Sequence, residues 1–457
     1  MKEAWVQFKE ETSTSISYSK FCCFRPKHTK CMAKDRFKTC CCEYCENITL
    51  KKKAVNSVLQ TAGHGEMFLG SKFAIADMTC CAPNPVLHLH NKACIDRECE
   101  NCGISKFHEV MVPMLDNLSD TQTTWSAWRS EKSTYKNKQG TEVTTNKQVL
   151  VKIDGPFSQL IAELEEDLHT FAWHLANYQW QQRQFDKLTR DVPTRWLVMC
   201  MDYGENFTCA YQDEAQGAHW SRQQITIHPV VCYYRCPDHP EVTTQETFCF
   251  ISNDLKHDSH GVQHFQQQAL QTLLERGINV TQIIHFSDGC PSQYKGKASF
   301  IDLSFAKDDT GIPTEKHFFG SRHGKGPCDR EIGVVKRLAR QAVLRRKCII
   351  ATAQDLYEYG CSSLTKPADN SHSHTCRQFF FVREGTIVRD RPDRTGGKGI
   401  PGTRKLHCVR GHSPFIVSYK ERSCFCEACV TLEGECTNKS FVEDWKEVSL
   451  KVNRRQK

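Results

Sequence analysis

An α/β fold, with a mixed sheet flanked by helices and Cys/His zinc-binding regions towards the N- and C-terminal ends, is what this sequence predicts. Three observations carry that expectation. Between about Arg195 and Leu344, short apolar runs of buried-strand length end on acidic residues and alternate with helical patterns. Cysteine pairs at metal-knuckle spacing bracket that region. The chain has 457 residues, 39% of them hydrophobic, ample for a sizeable core and for more than one domain.

The elements follow in order. Trp196 to Met201 is an apolar run that ends on Asp202. Phe207 to Tyr211 and Gln224 to Tyr234, rich in β-branched and aromatic residues, read as the two return strands of an antiparallel meander. From His260 to Arg276, Val262, Phe265, Ala269, Leu270, Leu273 and Leu274 recur near the helical period, and Gly277 supplies a stop. Val280 to Phe286 is a further strand leading into Asp288, and Glu315 to Phe319 another. A Gly-rich turn and a helix from about Pro327 come next. This order of strands, helix and acids is that of the ribonuclease H-like fold.

Acids at separated strand and helix ends suit one kind of chemistry. Mg²⁺ or Mn²⁺ takes oxygen ligands in a near-octahedral shell, so an enzyme acting on phosphodiesters gathers carboxylates from several elements. Asp202, Asp288 and an acid near the start of the last helix are the candidates. On that helix Ile332, Val335, Ala339, Ala342 and Val343 form the apolar arc, and Asp329 and Glu331 flank it on opposite sides by similar angles. Periodicity does not choose between them. Gly324 and Gly326 let backbone amides approach an anion at the helix start. Lys325, Lys336, Arg337 and Arg340 are candidate cations for a nucleic-acid backbone, as is Lys295 after Asp288. Glu205 and Asn206 are candidates for orienting a water, and Ser292, Gln293 and Tyr294 for touching a strand end.

Three phrases link the chain to a family: Asp202-Tyr203-Gly204-Glu205-Asn206, Ser287-Asp288-Gly289-Cys290-Pro291-Ser292-Gln293-Tyr294-Lys295, and His323-Gly324-Lys325-Gly326-Pro327-Cys328-Asp329. In these the chain resembles eukaryotic cut-and-paste DNA transposases of the DDE/D type and proteins derived from them. Its cysteine pairs look like those of the Kolobok, Mutator and CACTA-like groups. The resemblance implies that Asp202 and Asp288 hold two divalent ions, with Asp329 ranked first as third ligand and Glu331 kept because many transposases end their triad on Glu. It also implies DNA strand cleavage at transposon ends, strand transfer into target DNA, a nuclear location and a homo-oligomer. The alternatives are a catalytically inactive, domesticated DNA-binding protein, or a zinc-rich nucleic-acid-binding protein without enzyme activity.

Cysteine usage supplies the second signal. The count is 27, an odd number, and no leading apolar segment reads as a signal peptide, so reduced zinc sites explain the cysteines better than a disulfide framework does. Cys42 with Cys45, and Cys99 with Cys102, are paired knuckles expected to close one four-thiolate site. Their gap exceeds a zinc ribbon's, which leaves Cys22, Cys31, Cys40, Cys80, Cys81, His88, His90 and Cys94 as other partners. Towards the C-terminus the expected set is Cys424, Cys426, Cys429 and Cys436, with Cys408 or His412 able to replace one. Cys232, Cys236 and His239 have knuckle spacing without a fourth ligand, and His257, His260 and His264 share a helical face. Cys200, Cys209, Cys249 and Cys348 are assigned to the core.

The expected organisation is a Cys/His-rich zinc region at 1–115, a polar linker at 116–155, a helical layer at 156–194, the catalytic domain at 195–388, and a basic linker with a Cys-rich zinc region at 389–457. The helical layer rests on Leu160, Leu164, Leu168, Phe171, Leu175 and Tyr178 at helical spacing. Arg389 to Arg404 alternates cations with turn formers and reads as a flexible linker or a DNA-backbone arm. A net charge of +8 suits a polyanionic partner, and no apolar run is long enough to span a membrane.

Overall fold

The computed structural model describes residues 5, 8, 12, 16–24, 41–85, 88–136, 140–324, 326–367 and 375–452. The chain divides into two units, Met1–Cys42 and Glu43–Lys457. In the first, helix α1 (Tyr18–Cys23) is capped by the Ser17 hydroxyl, which accepts from the Lys20 amide. Cys31, Cys40 and the basic run from Lys27 to Lys38 lie outside the described residues.

The second unit begins with helices α2 (Glu43–Thr61), α3 (Lys72–Asp77), α4 (Lys92–Ile95) and α5 (Ile104–Leu118). A hairpin of β1 (Gln122–Lys136) and β2 (Glu142–Pro156) follows, then the long helix α6 (Phe157–Arg190). The hairpin corrects the polar linker expected there. Its ladder pairs Trp125 with Ile153 and runs the full length of both strands. Only Trp125 and Ala127 on β1 are buried, and the Trp125 indole donates to Glu163 of α6. A strand that buries so few side chains carries mostly polar residues, which is why its composition reads as a loop.

The remaining elements are β3 (Trp196–Met201), β4 (Phe207–Thr208), β5 (Gln224–Arg235), β6 (Thr243–Ser252), α7 (Ser259–Glu275), β7 (Gln282–Ser287), α8 (Lys297–Thr310), β8 (Thr314–Phe318), α9 (Pro327–Leu344) and α10 (Ala353–Tyr359). Then come β9 (Lys366–Pro367), β10 (Thr375–Val382), β11 (Cys408–Ser413), β12 (Ile416–Lys420), α11 (Glu427–Thr431), α12 (Lys439–Val442) and β13 (Lys446–Ser449). One mixed sheet has the order β13-β12-β11-β8-β7-β3-β5-β6-β10-β9, with β4 beside β5. Around β3 the sheet changes character: β5 is antiparallel to it and to β6, whereas β7 and β8 run parallel.

Helices cover both faces of this sheet. Alternation along β3 sends Leu197, Met199 and Met201 into a core shared with Val262, Phe265 and Leu273 of α7 and Phe300 of α8. Val198 and Cys200 face the other way, onto Phe185 and Leu188 of α6 and Cys328 of α9. Burying each such large apolar side chain contributes roughly 1.5–3 kcal/mol, so a strand packed on both faces is a rigid place from which to project an acid.

Two expectations are corrected here. The first return strand shrinks to Phe207–Thr208, and the second long antiparallel partner is β6. Its Glu246 is fully buried, neutralised by Arg276 at 2.9 Å and hydrogen-bonded by Tyr234, so a charged residue masked a core strand. The first part of the segment from Arg389 to Arg404 is tied down rather than a free linker, while Lys398 and Arg404 are exposed. Arg389 pairs with Asp254 and Asp258 at 2.7 and 2.6 Å, Arg391 with Asp302 at 2.9 Å and Arg394 with Asp309 at 2.6 Å. Those cations are consumed by acids flanking α7 and on α8, and β11 to β13 then extend the main sheet. Among the described residues no helix is long and apolar enough to cross a membrane.

Candidate carboxylate site and metal centres

The parallel ladder between β3 and β7 pairs Trp196 with Gln282 and continues in step to Cys200 with Phe286. Two residues beyond that last pair come Asp202 and Asp288. They leave adjacent parallel strands at the same register, and period-two alternation puts both on the face of Cys200 and Phe286. That is the face on which α9 begins. Its Cys328 is buried against Cys200, with the thiol donating to the Cys200 carbonyl at 3.2 Å. Asp329, the next residue, is thereby delivered to the strand ends.

The structure separates the two candidates for the third acid. Asp329 is exposed at the start of α9, accepts from the Gly326 amide at 3.0 Å, and its charge acts on both Asp202 and Asp288. Glu331 points elsewhere and is held by Arg377 of β10 at 2.6 Å, with both side chains mostly buried. A carboxylate neutralised in that way is a strut for the β10 edge. The turn before α9 comes close: a Cβ on Gly324 would sit 2.8 Å from the Asp288 Cβ, so only glycine fits there.

Like charges and burial set the electrostatics. Burial, with Asp288 and Asp329 beside it, pushes the Asp202 carboxyl up to about 8. Asp288 is also raised by burial and by Asp329, although the Cys290 amide donating to it at 3.0 Å and the nearby Lys295 oppose that. Among the described residues, the three acids are not in the groups whose ligand atoms all lie within 4.8 Å of one another. Asp202 and Asp288, both with raised proton affinity, and Asp329 beside them are hard oxygen donors of the kind a divalent cation such as Mg²⁺ or Mn²⁺ takes.

The candidate cations divide. Arg337 and Arg340 are exposed on α9, and Lys336 is half-buried, where Glu205 stabilises its charge against desolvation. Lys295 is buried instead, its ammonium 5.1 Å from the Phe318 ring centroid, and burial pulls it down to about 8. Its charge acts on Asp288, and its burial sets it apart from the exposed cations of α9. Lys325 lies outside the described residues. Tyr294 is buried with its hydroxyl 3.2 Å from His228, and Asn206 donates to Gln224 at 3.0 Å.

Cys and His side chains gather into groups that can bind a metal such as zinc. Cys424, Cys426, Cys429 and Cys436 assemble as the sequence expects, with Cys436 at 3.6 and 3.8 Å from Cys424 and Cys426. A hydrogen bond from Cys429 is the main cause holding the Cys424 thiol down at about 4, in thiolate form. The N-terminal pairing is corrected. Cys99 and Cys102 join Cys81 and Cys94, with Cys81 and Cys99 3.8 Å apart, while Cys45 meets His174 of α6 and His323 of the turn before α9. Cys42 closes the first unit.

Sequence reasoning missed both histidines. His174 hides in the amphipathic pattern of α6, and His323 stands in a phrase whose glycines point to phosphate. Glu315, His317 and Cys408 also meet, but His317 already has Glu315 at 3.2 Å and Ser423 at 2.7 Å on its two nitrogens, a buried polar network within the sheet. Cys232, Cys236 and His239 form no metal group among the described residues, nor do His257, His260 and His264. His257 stacks on Tyr203 with ring centroids 4.3 Å apart, and His412 is bonded to Ser418 at 2.7 Å. Cys200, Cys209 and Cys249 are buried in the core, and Cys348 packs at its edge.

Residues 181–423 match the model of a family described as a domain of unknown function, DUF8701. The chain belongs to that family. No curated protein and no solved structure matches it. The two ends of the DUF8701 match touch: Gln181 donates to the Ser423 hydroxyl at 2.8 Å and accepts from the Ser423 amide at 3.0 Å. The DUF8701 span holds Asp202, Asp288, Asp329 and His323, whereas Cys45, His174 and the C-terminal cysteine set fall outside it.

Proposed function

We propose that this DUF8701 protein is a metal-dependent DNA-processing enzyme of the transposase type, or a descendant of one, acting on phosphodiesters at Asp202, Asp288 and Asp329. The observation that carries the reading is the shared register of Asp202 and Asp288 at the ends of β3 and β7. The antiparallel trio β6-β5-β3 followed by parallel β7 and β8 supports a ribonuclease H-like core, as the order of elements in the sequence does.

When bound, Mg²⁺ or Mn²⁺ supplies Lewis-acid stabilisation of charge at the scissile phosphate and makes an attacking water more acidic. The chain's own residues do the rest. Asp202 and Asp288, fixed on a rigid sheet, present oxygens at one edge, and Asp329 approaches them from the helix start. Arg337 and Arg340 on the same helix give a DNA backbone two exposed cations to lie against. Transposon ends and target DNA are the proposed substrates, which places the work in the nucleus, and handling two ends calls for more than one copy of the chain.

The test is a nicking and strand-transfer assay on oligonucleotides with Mn²⁺, comparing the natural protein with Asp288→Asn. Metal-dependent cleavage that disappears in the variant is the expected result. Cleavage that persists in the variant removes the assignment, and DNA binding without any cleavage in the natural protein favours a retired, DNA-binding descendant.

A further inference from the structure

We infer that Cys45, His174 and His323 form a zinc centre whose purpose is to hold the turn before α9 against the carboxylate site. Around a tetrahedral zinc with Zn–S of about 2.3 Å and Zn–N of about 2.05 Å, neighbouring S and N atoms stand about 3.6 Å apart and two nitrogens about 3.3 Å. Cys45 Sγ is 3.8 Å from His174 Nε2 and 3.4 Å from His323 Nε2, and the two Nε2 atoms are 3.1 Å apart. All three edges match.

A thiol this close to an imidazole has a competing reading, the nucleophile and base of a covalent catalyst. Burial argues against it. Cys45 is 2% exposed and no substrate reaches it, which suits a closed structural centre.

The ligands come from elements far apart in the chain, and one of them leads directly to the acids. His323 stacks on Tyr178 of α6 with ring centroids 3.9 Å apart. A Cβ on Gly320 would lie 2.6 Å from the Tyr178 backbone, so the turn is pressed onto that helix. Arg322 pairs with Glu43 of α2 at 3.0 Å. The residue after His323 is Gly324, the one that touches Asp288. Pinning His323 therefore fixes where Gly324 abuts Asp288 and where α9 starts, which sets the position of Asp329. His323 is a positioning residue. This second half rests on the carboxylates being a divalent-metal site.

The experiment uses the full-length protein and two readouts other than DNA cleavage. Zinc per chain is measured by atomic emission in the natural protein, His323→Ala and His323→Cys. The Ala variant is expected to lose one equivalent while the other zinc sites keep theirs, and the Cys variant, which offers a thiolate, to regain it. Mn²⁺ affinity is then followed by electron paramagnetic resonance, with a loss of about tenfold or more expected in His323→Ala and recovery in His323→Cys. An unchanged zinc count in His323→Ala overturns the centre. Zinc loss with unchanged Mn²⁺ affinity overturns its positioning role. A natural protein that keeps its zinc yet binds no Mn²⁺ overturns the carboxylate reading instead, and leaves the zinc centre standing.

Discussion

Asp202 and Asp288 occupy equivalent places on neighbouring parallel strands, two residues past the pair Cys200 and Phe286. A shift of one residue in that ladder would turn one carboxylate to the opposite face, so the site depends on strand register. Register in turn depends on burial on both sides of β3, where Leu197 and Val198 are each fully enclosed.

Asp329 and Glu331 should separate cleanly on mutation. Asp329→Asn is expected to abolish metal-dependent cleavage, a loss of at least about a thousandfold, since a ligand to the reacting centre is worth several kcal/mol. Glu331→Gln should retain cleavage yet lower stability by about 2 kcal/mol, because Arg377 loses its partner in a mostly buried pair. Cleavage rates and denaturant midpoints on both variants decide this, and the opposite pattern would make Glu331 the third acid instead.

The raised Asp202 carboxyl gives a pH signature. With a folded value of about 8 and an ordinary carboxylate value in the unfolded chain, the folded state holds the extra proton between the two. Stability should then fall as pH rises from about 4 to 8 and flatten above that. Asp202→Asn removes this loss, so its advantage over the natural protein should grow across the window and be smallest at its acid end. Urea titrations at several pH values in chelator measure it. Adding Mn²⁺ at pH 7 should release protons into a weak buffer.

Gly324→Ala tests the close approach to Asp288. The added methyl would meet the Asp288 Cβ at 2.8 Å, nearer than Cβ atoms come, and the turn must move. Mn²⁺ affinity is expected to drop about tenfold or more while global stability falls by about 1 kcal/mol. Equal, small effects on both would show that the turn yields without disturbing the acids.

The C-terminal cysteine set should be structural. Cys424 and Cys426 pack with Trp180 of α6 and Phe441, so losing the metal loosens the contact between that helix and the chain's end. Cys436→Ser is expected to cost one zinc equivalent and several kcal/mol of stability. Atomic emission and thermal unfolding, with and without a strong chelator, report the two quantities.

Local pattern carried a good deal of this architecture. Trp196 to Met201 announced β3 because a strand buried on both faces must be apolar throughout, and α7 and α9 announced themselves by helical period. The set Cys424, Cys426, Cys429 and Cys436 was legible for a similar reason, since ligands close in sequence meet through short connections. Strand β6 and the hairpin β1–β2 were not, one because a neutralised Glu246 lies in its core and the other because it buries so little.

By itself the sequence determined the candidate acids Asp202 and Asp288, the helix start that carries Asp329, and cysteine groups able to hold a metal, all properties of spacing and residue type. Only the tertiary structure paired Glu331 with Arg377 and left Asp329 beside Asp202 and Asp288, buried Lys295, tied Arg389, Arg391 and Arg394 to acids, and brought Cys45 to His174 and His323. The physical reason is the same in each case. A charge or a ligand is defined by what stands opposite it in space, and those partners come from parts of the chain that no local period connects.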